Sequence, residues 1–250
     1  MRTEEFIASL TENGSLEEAT KLVKEGIPLG WDSVGNTVYS QKRESPFTVR
    51  HTCVTGTRKT AFIKRVLFTL SAFYDKNEVS FFVLSPRSDY GELLRLQNAD
   101  FTVPYINGKS DLEQAKACVR ELLDLQSRER GCPKLILVLD GFEELAGCNK
   151  NGDLEEYRDF FELIARRTDV EIISGADLMK SIFSGQPGAF VGVGNCLVTT
   201  REEGKADVTY VNDDSSLSLP IVMSYPDAPS VTETVIYLNS LSKKAQAGEA

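Results

Sequence analysis

The chain has 250 residues, 41% of them hydrophobic, which suits one large domain or two small ones with a substantial core. Its formal net charge is -9, and free-standing nucleic-acid binders are more often basic. No stretch approaches the about 20 apolar residues that span a bilayer, the opening residues read as too polar for a secretory signal, and five scattered cysteines with a single His argue against a structural zinc site and for a reducing cytoplasm.

Taken in order, residues 3–25 place apolar side chains at helical spacing (Phe6, Ile7, Leu10, then Leu16, Ala19, Leu22, Val23). Asn13-Gly14-Ser15 interrupts the run, and Ser15 with Glu18 forms a capping-box pattern, so two short helices are expected. Ile27–Trp31 and Thr37–Tyr39 flank Asp32–Asn36, a hairpin signal. Phe47–Val54 then reads as a strand, and Ala61–Phe73 as the first long helix. After it come a buried strand Val79–Leu84, a helical Tyr90–Gln97, and an amphipathic helix Leu112–Arg128. Lys134–Leu139 is the most hydrophobic strand, followed by a helix Leu154–Arg167 and a strand Val170–Ile173. Continuous apolar strands alternating with helices predict a mostly parallel central sheet with helices on both faces. From Val191 on, Cys196–Thr200, Val208–Val211 and Leu217–Leu219 read as short strands at the far edge of that sheet, and the last ten residues as a frayed polar end. Three segments are expected: an N-terminal helical segment 1–26, one α/β domain 27–240, and a flexible tail 241–250.

The chemistry concentrates between the Phe47–Val54 strand and the Ala61–Phe73 helix. A strand, a loop and a helix are the setting in which G-x-x-x-x-G-K-[ST] binds phosphate. In that motif backbone N–H groups cradle the phosphates, Lys neutralises the β- and γ-oxygens, and Ser/Thr holds Mg²⁺. Here Thr55, Gly56, Thr57, Arg58, Lys59 and Thr60 form the loop, with Lys59 and Thr60 in their motif places. Cys53 and Arg58 stand where the two signature glycines belong. The alternative reading is a strand-to-helix turn with an incidental Lys-Thr. Residues 41–65 carry seven Lys/Arg against one acid, whereas 201–250 carry four against eight, so the positive field surrounds this loop, as an anion site or as a solvated basic face.

About eighty residues on, Leu135–Leu139 ends in Asp140, the place from which a Walker B aspartate holds Mg²⁺ through water. The following position, an acid in hydrolysing enzymes of this type, is Gly141. Glu143 and Glu144 are the candidate catalytic acids, which reach the site only if their loop bends back and are otherwise solvated. Ser174 and Asp177, after the Val170–Ile173 strand, are candidate phosphate sensors, Asp177 serving equally as a helix cap. His51 lies inside a strand and reads as a core or edge residue, not a base.

Ile27-Pro28-Leu29-Gly30, Val54 to Thr60, Ser85-Pro86-Arg87 and Leu139 to Leu145, in that order, resemble the FtsK/SpoIIIE family of P-loop motor domains over roughly residues 27 to 200. The family's forms are T-T-G-S-G-K-S for the second segment, D-P-K for the third and D-E-F-x-D-L for the fourth. The resemblance implies a RecA-like P-loop NTPase fold, ATP and Mg²⁺ as cofactors, phosphate binding by Lys59, and metal roles for Thr60 and Asp140. Phe142 and Leu145 match packing positions. Departures fall where catalysis resides: Arg58 for a glycine, Gly141 for the catalytic acid, Ser85 for the Asp of D-P-K, and Ala176 where a sensor Gln is expected.

That pattern is similar to the degenerate ATPase modules of type VII secretion coupling proteins of the EssC/EccC kind, which hydrolyse ATP poorly or not at all. The implied function is ATP binding with little or no turnover inside a DNA-translocation or secretion assembly. Two alternatives stand beside it, a docking module with a vestigial site and an active DNA translocase whose arginine finger, from Arg166, Arg167 or Arg201, acts in trans. The implied partners are other subunits or modules of such an assembly, with DNA a further one. No direct membrane insertion is expected, and the place is the cytoplasm, at a membrane only through partners.

Overall fold

The computed structural model describes residues 27–34, 37–40, 50–74, 76–85, 88–99, 101–103, 109–128, 133–141, 170–175, 196–201, 205–210 and 219–222, together with 232, 233, 235, 236 and 239. The helices expected in 3–25, 154–167 and 178–183 lie outside the described residues. So do Phe142, Glu143, Glu144, Leu145, Arg166, Arg167, Ala176, Asp177 and the tail 241–250.

Among the described residues ten strands form one sheet: β1 (Pro28–Trp31), β2 (Thr37–Tyr39), β3 (Arg50–Gly56), β4 (Val79–Leu84), β5 (Phe101–Val103), β6 (Lys134–Leu139), β7 (Val170–Gly175), β8 (Cys196–Thr200), β9 (Lys205–Tyr210) and β10 (Leu219–Val222). Their order is β2-β1-β10-β9-β8-β3-β7-β6-β4-β5. From β8 through β5 every ladder is parallel, and from β8 through β2 every ladder is antiparallel. The parallel half is the α/β architecture read from the sequence. Its strands β4, β6 and β7 are buried almost end to end, as runs covered on both faces must be.

Within that half, β7 lies between β3 and β6, so the strand entering the Lys-Thr loop and the strand ending in Asp140 are next-but-one neighbours. The C-terminal strands differ from the expected far edge. β8 pairs directly with β3, and β9 and β10 bridge from it to the β1–β2 hairpin, which forms the true edge. A buried carboxylate of β7 ties the hairpin to the parallel half. Glu171 Oε1 accepts from Ser40 Oγ at 2.8 Å and from the Ile27 N–H at 3.2 Å, while Oε2 meets Lys134 Nζ at 2.5 Å. The strand expected to end at Val54 continues to Gly56, because Thr55 and Gly56 pair with Thr199 and Thr200.

Helix α1 (Lys59–Phe73) lies against β1, β3 and β4, burying Ile63, Val66, Leu67 and Leu70. Helix α2 spans Lys109–Arg128. The segment expected as a helix over 90–97 is a 3₁₀ helix, Ser88–Arg95. Tyr90 and Leu93 within it, and Leu96 just past its end, are buried at every third residue, and a 3.0-residue turn stacks i and i+3 on one line.

Candidate functional site

The site is assembled at the C-terminal ends of β3 and β6 and the first turn of α1, the crevice where open α/β sheets bind ligands. Strand β3 delivers the chain to Gly56, Thr57 and Arg58 form the turn, and Lys59 and Thr60 open α1. The helix closes on itself from Arg58, whose carbonyl accepts from the Phe62 N–H at 3.0 Å. Arg58, at the N-cap, has no side-chain acceptor to offer, and the first turn carries no acid. The amide donors of that turn and the positive end of the helix are therefore arranged for an anion, with Lys59 beside them.

Thr60 faces Asp140. Its Oγ1 donates to Asp140 Oδ2 at 2.7 Å across eighty residues of sequence. Asp140 is 1% exposed, and its N–H donates to the Leu84 carbonyl at 3.2 Å, tying the end of β6 to β4. A second donor, absent from the sequence reading, reaches the same oxygen: Tyr90 Oη donates to Asp140 Oδ2 at 2.8 Å. Tyr90 is fully buried, and burial followed by the Asp140 charge holds its phenol well above the ordinary range, so it remains a donor. Lys64 Nζ lies 5.8 Å from the Tyr90 ring centroid and 3.4 Å from Glu92 Oε2.

The loop does not curl where an intact phosphate cradle would. Cys53 to Gly56 stay in the β3–β8 ladder, in register Cys53↔Leu197, Val54↔Val198, Thr55↔Thr199, Gly56↔Thr200. Gly56 has φ +102, and a Cβ built on it would lie 2.2 Å from the Thr200 carbonyl oxygen. Its glycine is thus required by close approach to β8. Arg58 sits at φ -122, outside the left-handed region that favours glycine. Thr200 Oγ1 donates to the Thr55 carbonyl at 2.8 Å and accepts from the Arg58 N–H at 3.4 Å. A hydroxyl oxygen of β8 thus receives a loop amide that a phosphate oxygen takes in an intact cradle.

The other candidates sort by position. Gly141 has φ +76, a conformation that an acid at this place would resist. Ser174 is fully buried, and its Oγ shares a 2.7 Å hydrogen bond with His51 Nε2, with Cys53 Sγ 3.7 Å from the same nitrogen. Both side chains are buried, as read for His51. Arg201 is paired with Asp207 of its own chain. Among the described residues no three His, Cys, Asp or Glu side chains cluster as a metal site, and no helix is long and apolar enough to cross a membrane.

The residues fit one hard cation of the magnesium kind. A hydroxyl and a carboxylate oxygen converge at hydrogen-bond distance, and Mg²⁺ takes one or two protein oxygens when phosphate and water complete its shell. Tyr90 and Thr200 left no motif signal, since their contacts join segments 50 and 142 to 145 residues apart. The three-residue spacing of Tyr90, Leu93 and Leu96 marks Tyr90 as inward-facing and nothing more.

No protein-family model matches the chain, and no curated protein matches it. Solved structures do match in fold. The cytoplasmic domain of the Thermomonospora curvata type VII secretion ATPase EccC superposes with a TM-score of 0.56 at 13% identity, over 84% of this chain and 30% of that one. EssC (ATPases 2 and 3) from Geobacillus thermodenitrificans gives 0.52 at 14% identity, over 82% and 44%. The pCW3 conjugation coupling protein TcpA, solved in monomer form with ATPgS, gives 0.53 at 11% identity, over 85% and 74%. The chain thus spans under half the length of the first two. At such identities the likeness establishes the fold alone, an α/β fold shared with the domains of those secretion and conjugation proteins.

Proposed function

We propose that this chain is an ATP-binding module of the FtsK/SpoIIIE kind with little or no ATP hydrolysis, working within a secretion or DNA-translocation assembly. The observation that carries the reading is the 2.7 Å contact between Thr60 and Asp140, the hydroxyl and carboxylate that a magnesium-nucleotide site needs together. Lys59 and the first-turn amides of α1 take the β- and γ-phosphates, Thr60 contributes a metal ligand, and Asp140 a contact through water. Thr55, Gly56, Thr57 and Arg58 make up the rest of the loop. The bound cation supplies charge neutralisation of the phosphates. Low turnover follows from Gly141, which brings no acid to the position that activates water and whose backbone suits none. Glu143 and Glu144 remain the candidate acids for any residual hydrolysis.

Titration with Mg-ATP tests this directly. Saturable binding in the high-micromolar to low-millimolar range is expected, lost in Lys59→Ala. Failure to saturate at millimolar nucleotide removes the reading.

A second reading is favoured by the pairing of Gly56 with Thr200. A loop held as strand suits a docking module with a vestigial nucleotide site, its partners being neighbouring modules of the same assembly. It predicts a thermal midpoint unchanged by Mg-ATP in both the native chain and Lys59→Ala. An active DNA translocase is disfavoured by the net charge of -9 and by Gly141; DNA-stimulated phosphate release abolished by Asp140→Asn would restore it. The same reading places the module in the cytoplasm, reaching a membrane through partners, with residues 27–240 as the folded unit.

A further inference from the structure

The geometry points to Tyr90 as a positioning residue for the metal: its phenol fixes the Asp140 carboxylate so that one oxygen faces the cation's water shell. The inference rests on the magnesium-nucleotide reading above and adds to it a residue outside every motif of the fold.

Asp140 Oδ2 accepts two hydroxyl protons, from Thr60 at 2.7 Å and from Tyr90 at 2.8 Å. Two donors converging on one oxygen from different elements, α1 and the 3₁₀ segment, set both the rotation and the tilt of the carboxylate plane. Oδ1 is then the oxygen left to accept from a metal-bound water. The Thr60 proton can stay on Oδ2 while its lone pairs turn to the cation, so the pair need not separate when metal binds. Tyr90 is fully buried, and its hydroxyl also lies within hydrogen-bond reach of Thr60. Its contribution is orientation. Such outer partners of ligating groups typically change metal affinity by about 10- to 100-fold when removed.

The tyrosine is itself held in place. Leu93 in the 3₁₀ segment and Leu96 just past its end continue its buried line. Lys64, from α1, lies by its ring and pairs with Glu92 one turn away. The donor thus lies between the helix that carries Thr60 and the segment that follows β4.

The experiment is Mn²⁺ binding, read by electron paramagnetic resonance, to the full chain saturated with ATP, alongside ATP binding in EDTA. Tyr90→Phe removes only the hydroxyl. Its Mn²⁺ dissociation constant is expected to rise about tenfold, while ATP affinity without metal stays at the native value. Tyr90→Met, equally apolar and adaptable to the same cavity, is the second hydroxyl-free variant should the first fail to fold, and the same rise is expected. Native Mn²⁺ affinity in either folded variant overturns the role of Tyr90 and leaves the nucleotide reading standing. A native chain that binds ATP but shows no Mn²⁺ binding overturns the positioning role together with the metal roles of Thr60 and Asp140. A native chain that binds neither removes the nucleotide reading itself.

Discussion

Two glycines carry opposite lessons at the scale of single residues. Gly56 is the one loop glycine that survives, yet its φ of +102 and the Thr200 carbonyl 2.2 Å from its absent Cβ assign it to sheet closure. Gly56→Ala must break the ladder to β8 or force the strand apart. Left-handed strain and a backbone clash together cost roughly 2–4 kcal/mol, so urea unfolding should show a clear drop in midpoint; an unchanged midpoint would mean that the strand ends before Gly56. Gly141, the position after Asp140 to which the proposed reading assigns a missing catalytic acid, has φ +76. Installing the missing group there therefore fails for a backbone reason. Gly141→Glu should lose about 1–2 kcal/mol of stability from the left-handed conformation and gain no phosphate release over the native chain. A steady-state phosphate assay that showed turnover appearing with this single change would locate the defect in chemistry alone.

Element by element, the β1–β2 hairpin is tied to the parallel half by one carboxylate. Glu171, fully buried on β7, ties Ile27 and Ser40 of the hairpin to Lys134 at the start of β6. Its truncation leaves Lys134, 14% exposed, without this counter-charge and the Ser40 hydroxyl and Ile27 amide without this acceptor. Glu171→Ala should cost about 3–5 kcal/mol, as loss of one partner from a buried ion pair does, and amide exchange should rise first in Ile27–Ser40. Uniform exchange across the sheet would show that the hairpin is held by other means. None of this was legible in the sequence. The parallel strands were, because Val79–Leu84 and Lys134–Leu139 are largely apolar runs, and so was the meeting of Thr60 with Asp140, expected from a strand–loop–helix segment and a strand ending in Asp140. Lateral order was not: the insertion of β7 between β3 and β6, the placing of β8 against β3, and the contacts of Tyr90 and Thr200 are set by pairings between distant segments, which leave no periodic trace. The 3₁₀ segment was legible in its three-residue repeat but was read at the helical period.

Across the whole molecule the interior holds acids that strongly prefer to stay protonated. Burial pushes the Cys53 thiol up to about 12, with the Ser174 hydrogen bond opposing, and raises Cys196 further still. Burial likewise raises Tyr74, Tyr90 and Tyr210. Each group has a folded pKa above its unfolded value of 9.0 or 10.0, so its contribution is complete below that value and is lost as pH climbs toward the folded one. One group works in the other direction. Arg65, buried in α1 with its guanidinium 5.3 Å from the Trp31 ring, is lowered from 12.5 to about 9. Above pH 9 the unfolded chain keeps that proton and the folded chain releases it, which adds stability. Between pH 9 and 10 the two thiols oppose the single arginine, a net difference of about one proton, or about 1.4 kcal/mol lost per pH unit; above pH 10 the tyrosines steepen the fall. Urea midpoints measured from pH 7.5 to 10.5 should stay level to about pH 8.5 and decline beyond it. Cys53→Ala with Cys196→Ala should flatten the decline between pH 9 and 10, because Arg65 then opposes only the onset of the tyrosine ionisations. A native curve that rises through pH 10 would mean that the thiols and phenols reach water in the folded state, and that the β3–β8 seam, where Cys53 and Cys196 lie, is open in solution.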